Sequence, residues 1–236
     1  MQEMLVLLGF GETGWGDDIA AGVLVTVSLA LVTLPIGLVA GFLLSLGKQS
    51  EDRLLNLSAN IYTTIFRGLP ELLTLFLVYF GLNSALRSLS GASGLPEIAL
   101  SSFQAGVITL SLVFTAFSSE VFLSAFRAIP HGQREGGAAL GLRKSRVMLL
   151  IILPQLIRIA LPGLGNLWQN LIKDTALVSV IGLAEILRQT QIAARVTREP
   201  FLFFGLACAL YLVLTLASAV VLGRIGRWTR RGEMAK

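Results

Sequence analysis

The stretch that decides the fold is Pro130–Pro154, PHGQREGGAALGLRKSRVMLLIILP. It is crowded with Gly and Ala, flanked by Arg and Lys, and set between long apolar runs. Too polar to lie in lipid, it belongs outside a membrane on the basic side. Its small side chains would let a short helix approach another protein closely, which points to a docking surface. A passive flexible connector is the simpler reading of the same composition.

The rest of the chain supplies the membrane. Its 236 residues are 54% hydrophobic and only 14% charged, far from the balance of a soluble globular domain. The apolar runs reach about twenty residues, enough at about 1.5 Å per residue to cross a hydrocarbon layer of about 30 Å. Barrel strands would be about ten residues long and alternating, so the expected fold is an all-α membrane protein forming one domain, 1–236. The net charge of +5 is no nucleic-acid footprint, because the basic residues sit in the gaps between apolar runs. Cys208 is the sole cysteine and lies within an apolar run, so it forms no internal disulfide and reads as a packing residue. The N-terminus lacks a basic n-region and carries Glu3, Glu12, Asp17 and Asp18, unlike a signal peptide.

Five spans are expected. The first covers about Ile19 to Leu46, with Asp17 and Asp18 capping its start and a tolerated kink at Pro35 and Gly37. The second is interrupted by Gly68, Leu69 and Pro70. If the membrane runs from Asn60 to Leu82, that break is near mid-depth, where it could offer backbone groups to a substrate. A Ser-, Gly- and Pro-rich loop follows over Arg87 to Phe103, then a third span over Gln104 to Arg127. The fourth has breaks at Pro154, Pro162, Gly163 and Gly165. A polar loop from Arg188 to Pro200 precedes a last span over Phe201 to Leu222. Thirteen Lys and Arg fall after spans one and three and in the tail ending Arg230, Arg231 and Lys236, against four on the other side. The N-terminus is therefore expected outside and the C-terminus in the cytoplasm.

Several charges lie among apolar residues. Glu71 follows the break directly. It is either a substrate contact or an ordinary first-turn acid complementing a helix dipole. Glu120 must be paired, protonated or wet, which suits either a functional contact or a bond to a neighbouring helix. Lys173 and Asp174 point about 100° apart on a helix, so each needs another partner. Gly47-Lys48 superficially suggests a phosphate loop, but Gly41 is one residue too early and Gln49 replaces the required Ser or Thr. Any ATP must be handled by another chain. His131 is the sole histidine; a pH switch is conceivable there, a solvated loop residue simpler.

Within the opening stretch, Glu135, Gly141, Ile151, Leu153 and Pro154 keep the spacing of the EAA motif, which this segment resembles. That motif belongs to membrane subunits of bacterial ABC importers; Gly136 and Gly137 depart from it, standing where the family usually has Ala. FRGLPELLTLFLVYFGL (Phe66 to Leu82), SSEVFLSAFRAIPHGQREG (Ser118 to Gly136) and LPGLGNLWQNLIKDTALVSVIGL (Leu161 to Leu183) resemble the polar amino-acid branch. The acid after Gly-Leu-Pro is similar to subunits serving histidine, arginine, ornithine and opines.

The resemblance implies a type I permease fold in the inner membrane, with 131–142 as a coupling helix that fits a cleft in a separate ATPase dimer. Its contact residues would be Glu135, Gly136, Gly137, Ala138, Ala139, Leu140, Gly141 and Leu142. It also implies a periplasmic binding protein, an amino-acid substrate, and a second permease subunit that is either homologous or another copy. Five spans are too few to enclose a solute path alone. ATP and Mg would be bound by the partner, leaving no cofactor and no catalytic residue here. Gly68, Leu69, Pro70, Glu71, Glu120, Lys173, Asp174 and Thr175 are the expected substrate-site residues.

Local physics agrees. Pro130 ends the third span near Ile129 and Gly141 suits a helix stop. Two extra glycines cost about 1 kcal/mol each against Ala, so the short helix should be ordered mainly by its partner. Changing Gly136 and Gly137 together to Ala should then keep or improve coupling. The rival readings are an ion-coupled secondary transporter or channel using Glu120, Asp174 and Lys173 as a charge relay, and a membrane scaffold. Five spans without an evident inverted repeat weaken the first.

Overall fold

The computed structural model describes residues 6–11, 13–93 and 99–230. Glu3, Glu12, Arg231 and Lys236, together with 94–98 of the expected loop, lie outside the described residues.

Among the described residues, five helical stretches are long and apolar enough to cross a membrane. The first, α1 (Gly16–Lys48), runs unbroken through Pro35. Asp17 and Asp18 lie in its first turn and do not cap it. The cap position is Trp15, and the Asp17 Oδ2 instead accepts the Gly11 N–H at 2.8 Å. The amphipathic α2 (Arg53–Gly68) follows, capped by Asp52, whose Oδ1 accepts from Leu54 at 2.8 Å. After Leu69 and Pro70 come α3 (Glu71–Phe76), a π turn (Leu77–Gly81) and α4 (Leu82–Ser93).

The apolar span therefore starts at Glu71. The Gly68–Pro70 break stands at its beginning and not half-way along an Asn60–Leu82 crossing. Asn56, Asn60, Thr63 and Thr64 make α2 too polar to be part of that span. Helix also extends through Ser93, into the expected Arg87–Phe103 loop.

The third span, α5 (Ser102–Ala128), begins with a capping box of Ser101 and Gln104 and ends before Pro130. It is the centre of the fold and packs mainly on α1. Gly37 and Gly41 permit that approach: a Cβ at 37 would lie 2.5 Å from Phe114 Cδ1, and one at 41 would overlap the Ser118 hydroxyl. Ser118 Oγ donates to Gly37 O at 3.1 Å across the same contact.

After α6 (His131–Ala139) and α7 (Lys144–Val147), a π turn (Met148–Ile152) leads into α8 (Leu153–Asp174). Pro162, Gly163 and Gly165 do not break α8. Gly163 faces Val121 on α5, and Gly165 faces Leu222 on the last helix. A 3-10 segment (Thr175–Ile181) continues it.

The expected polar loop from Arg188 to Pro200 is instead helix α9 (Ile186–Thr197), with Ile186, Thr190, Ala193 and Ala194 buried. Helical spacing of those four residues gives it an inner face despite its polar composition. The last span, α10 (Pro200–Arg230), outruns the expected Leu222. Cys208 is exposed on α10 and not packed inside. An unpaired thiol is apolar enough to face lipid.

Candidate substrate site and coupling segment

Glu71 and Asp174, 103 positions apart in sequence, line one cavity of about 140 Å³. Its walls are Leu110, Val113, Phe114 and Phe117 of α5 and Leu167, Asn170 and Leu171 of α8. The break at Leu69 and Pro70 restarts the helix with Glu71 as its first residue. Asp174 ends α8, where the hydrogen-bond register tightens to 3-10. Each carboxylate thus stands at a discontinuity in its helix, a feature common at functional positions.

Neither makes a hydrogen bond or an ion pair among the described residues. Lys173 closes no salt bridge with Asp174, and its side chain is exposed. Thr175 is fully buried, its hydroxyl donating to Ile172 O at 2.6 Å. Gly68 and Pro70 are exposed at the break, with Leu69 half-buried between them.

Glu120 lies elsewhere. Its Oε1 accepts from Lys48 Nζ at 2.5 Å and is 3.4 Å from Arg67 Nη1. The Arg67 guanidinium also sits over the Phe117 ring, 5.5 Å from its centroid. Phe117 is therefore shared between the ion cluster and the carboxylate cavity. The three proposed relay residues, Glu120, Lys173 and Asp174, do not assemble in one place.

In the opening stretch, α6 closes with a Schellman arrangement. Leu142 N–H donates to Gly137 O at 3.2 Å, Gly141 N–H donates to Ala138 O at 2.9 Å, and Gly141 has φ +75°. Gly137 is buried: a Cβ there would stand 2.8 Å from Ile151 Cδ1 and 2.9 Å from Val147 Cγ2. Gly136 has open space instead. Glu135, Gly136, Ala138, Ala139 and Leu140 are exposed, Leu140 by 80%. The half-buried Leu142 turns inward against the cluster of Phe126, Val147 and Ile152. The two glycines expected to act together thus have opposite surroundings.

Residues 34–230 match the family of binding-protein-dependent transport system inner membrane components. The chain belongs to this family. The permease is 38% identical over 232 residues to the nopaline transport system permease protein NocQ of Agrobacterium fabrum, covering 97% of this chain and 98% of that one. It is 39% identical over 210 residues to the histidine/lysine/arginine/ornithine permease protein HisQ of Escherichia coli, covering 89% and 92%. A crystal structure described as an amino acid ABC transporter with histidines superposes with TM-score 0.77 at 30% identity, over 90% of this chain and 94% of that one.

The partners in two polar groupings of the permease escape sequence reasoning. One is the cluster of Lys48 and Arg67 around Glu120, which joins α1, α2 and α5. The other centres on Glu185, whose residue is fully buried. Its carboxylate accepts from Leu187 N at 2.9 Å and Arg188 N at 2.8 Å, capping α9, and from Tyr211 Oη at 2.6 Å. Burial pushes its acid strength down, raising the pKa above the ordinary carboxylate value, while these hydrogen bonds pull the other way. The acid directly before an amphipathic run was the available signal.

Proposed function

We propose that this permease is the transmembrane subunit of an ATP-driven importer for cationic amino acids or opines. The observation that carries the substrate class is the convergence of Glu71 and Asp174 on one cavity, with no salt bridge to either among the described residues. Two carboxylates against apolar walls favour an ammonium or guanidinium and disfavour an anionic side chain. Asn170 adds a neutral hydrogen-bonding group. The names of the relatives, which carry nopaline, histidine, lysine, arginine and ornithine, support the same class.

The cavity is smaller than most ligand sites, which run to several hundred Å³. A second permease subunit, homologous or identical, completes the path in this reading. The N-terminus faces the periplasm, where a binding protein delivers substrate. The exposed face of α6, including Glu135, Ala138, Ala139 and Leu140, docks in a cleft of a separate ATPase dimer. That dimer binds ATP and Mg, and its closure shifts the permease between states because each state fits it differently. Glu120 serves structure by neutralising Lys48.

The test is uptake of labelled arginine by reconstituted complex carrying Glu71→Gln or Asp174→Asn. Both variants should assemble with their partners and lose at least about ten-fold in uptake, the scale of removing one charged contact. Normal uptake by both would remove these carboxylates from the substrate path.

A further inference from the structure

A second, larger cavity of about 540 Å³ opens between α1, α8 and α10, lined almost wholly by apolar side chains that include Leu34, Leu161, Leu164, Trp168, Ala217 and Val221. On α8 the lining residues recur at three- and four-residue steps. Arg158 continues that face one turn beyond Leu161. It is exposed, lies within the long apolar stretch Lys144–Ile181, and has no hydrogen bond or ion pair among the described residues.

The far wall gives its level. Gly165 faces Leu222, and Ile172 shares a cluster with Leu214, so α8 and α10 run antiparallel. Continuing that register puts Arg158, two turns before Gly165, at the level of the turn of α10 that carries Trp228 and Thr229. Trp228 is 71% exposed. Arg224, about 90° round α10 from the centre of the groove-lining face, is exposed at the groove's edge. One end of an apolar groove thus combines Arg158, a second cation at its edge and an exposed aromatic.

We propose that this groove binds one acyl chain of an anionic phospholipid, whose phosphate is held by Arg158 with help from Arg224. A charge inside a span must pair or reach the interface, and Arg158 does so by extending its guanidinium to the headgroup. Arginine suits phosphate because its planar fork donates to two oxygens at once. Trp228 fits the headgroup level, where indole rings concentrate. A neutral zwitterionic lipid would fill the groove but lack the net charge that two arginines favour.

The experiment uses the full chain, with the subunits that co-purify, in nanodiscs doped with phosphatidylglycerol or phosphatidylcholine bearing a diazirine on one acyl chain. Photoadducts are mapped by mass spectrometry. Phosphatidylglycerol should label Leu161, Leu164, Ala217 or Val221 in preference to other lipid-facing residues such as Val39, and more than phosphatidylcholine does. Arg158→Gln should reduce the groove adducts about five-fold, the effect of one basic residue at an anionic surface, while Arg158→Lys should retain most of them. Equal labelling by the two lipids in the unaltered protein overturns the proposal, as does an Arg158→Gln protein that labels like the parent. Crosslinking of Ala217 or Val221 to a second polypeptide overturns it too, by assigning the groove to a protein neighbour.

Discussion

Lys48 Nζ donates to Glu120 Oε1 at 2.5 Å, with only 2% of the lysine side chain exposed. The lysine ends α1 and the glutamate is in α5, so the pair fixes one end of the main helix contact. Asn56 of α2 donates to the Lys48 carbonyl as well, which draws the amphipathic helix to the same point. The arrangement stands or falls on Glu120, since the second cation, Arg67, has 46% of its side chain exposed and can be hydrated.

Replacing Glu120 by Gln should therefore leave an ammonium buried without a counter-charge. Breaking a buried pair from one side costs about 3–5 kcal/mol. Arg67→Gln should cost less than about 1 kcal/mol, because a half-exposed ion pair is screened by water. Thermal unfolding of the detergent-solubilised complex measures both. Equal losses in the two variants would show that Arg67 and not Lys48 is the principal partner.

The two glycines of α6 should respond in opposite directions. Gly136→Ala meets open space and removes helix-disfavouring backbone freedom worth about 1 kcal/mol. Gly137→Ala must displace Val147 and Ile151, and overpacking of that kind costs about 1–3 kcal/mol. ATPase rates of the assembled complex, read beside unfolding temperatures, separate the two. The double substitution should follow Gly137→Ala, contrary to what composition alone suggests.

The α1–α5 approach gives a sharper packing test. Gly41→Ala puts a methyl onto the Ser118 hydroxyl, which is held in place by bonds to Gly37 O and Thr115 O. We expect a loss of about 1–3 kcal/mol, partly restored by Ser118→Gly in the same chain. A neutral single variant would show that the helices can separate without cost.

Glu185 provides the pH dependence. Its pKa is raised in the folded protein, chiefly by desolvation, so the folded state holds this proton more tightly than the unfolded chain does. Stability is then greatest below the unfolded pKa of about 4.5. It falls as pH rises from there to the folded pKa, and is level above it. Glu185→Gln should flatten that dependence and retain the cap. Glu185→Ala should cost about 1–2 kcal/mol by uncapping α9 and leaving Tyr211 without its acceptor. Unfolding temperature between pH 4 and 8, recorded for all three proteins, is the measurement.

The five spans and the order of the motifs were legible because apolar run length and motif spacing survive in one dimension. Pro130 and Gly141 were legible for a local reason: each restricts or frees its own backbone. What was illegible depended on neighbours distant in sequence. Gly137 faces inward because Ile151 lies against it, and α9 is a helix because its small residues pack on α1 and α10. Glu71 and Asp174 were each recognisable as costly charges. Their shared cavity required α3 and α8 both to pack against α5. Polar composition misplaced the break at Pro70 because an amphipathic helix can precede a span without belonging to it.

ATP-driven import of a cationic substrate is read out in proteoliposomes containing the permease together with the proposed ATPase and binding protein. Labelled arginine should accumulate only with ATP at the ATPase side, and the Glu71→Gln, Asp174→Asn double variant should abolish accumulation while the complex stays assembled. Accumulation driven by an ion gradient in the absence of ATP, or undiminished in the double variant, would rule out ATP-driven import through these carboxylates.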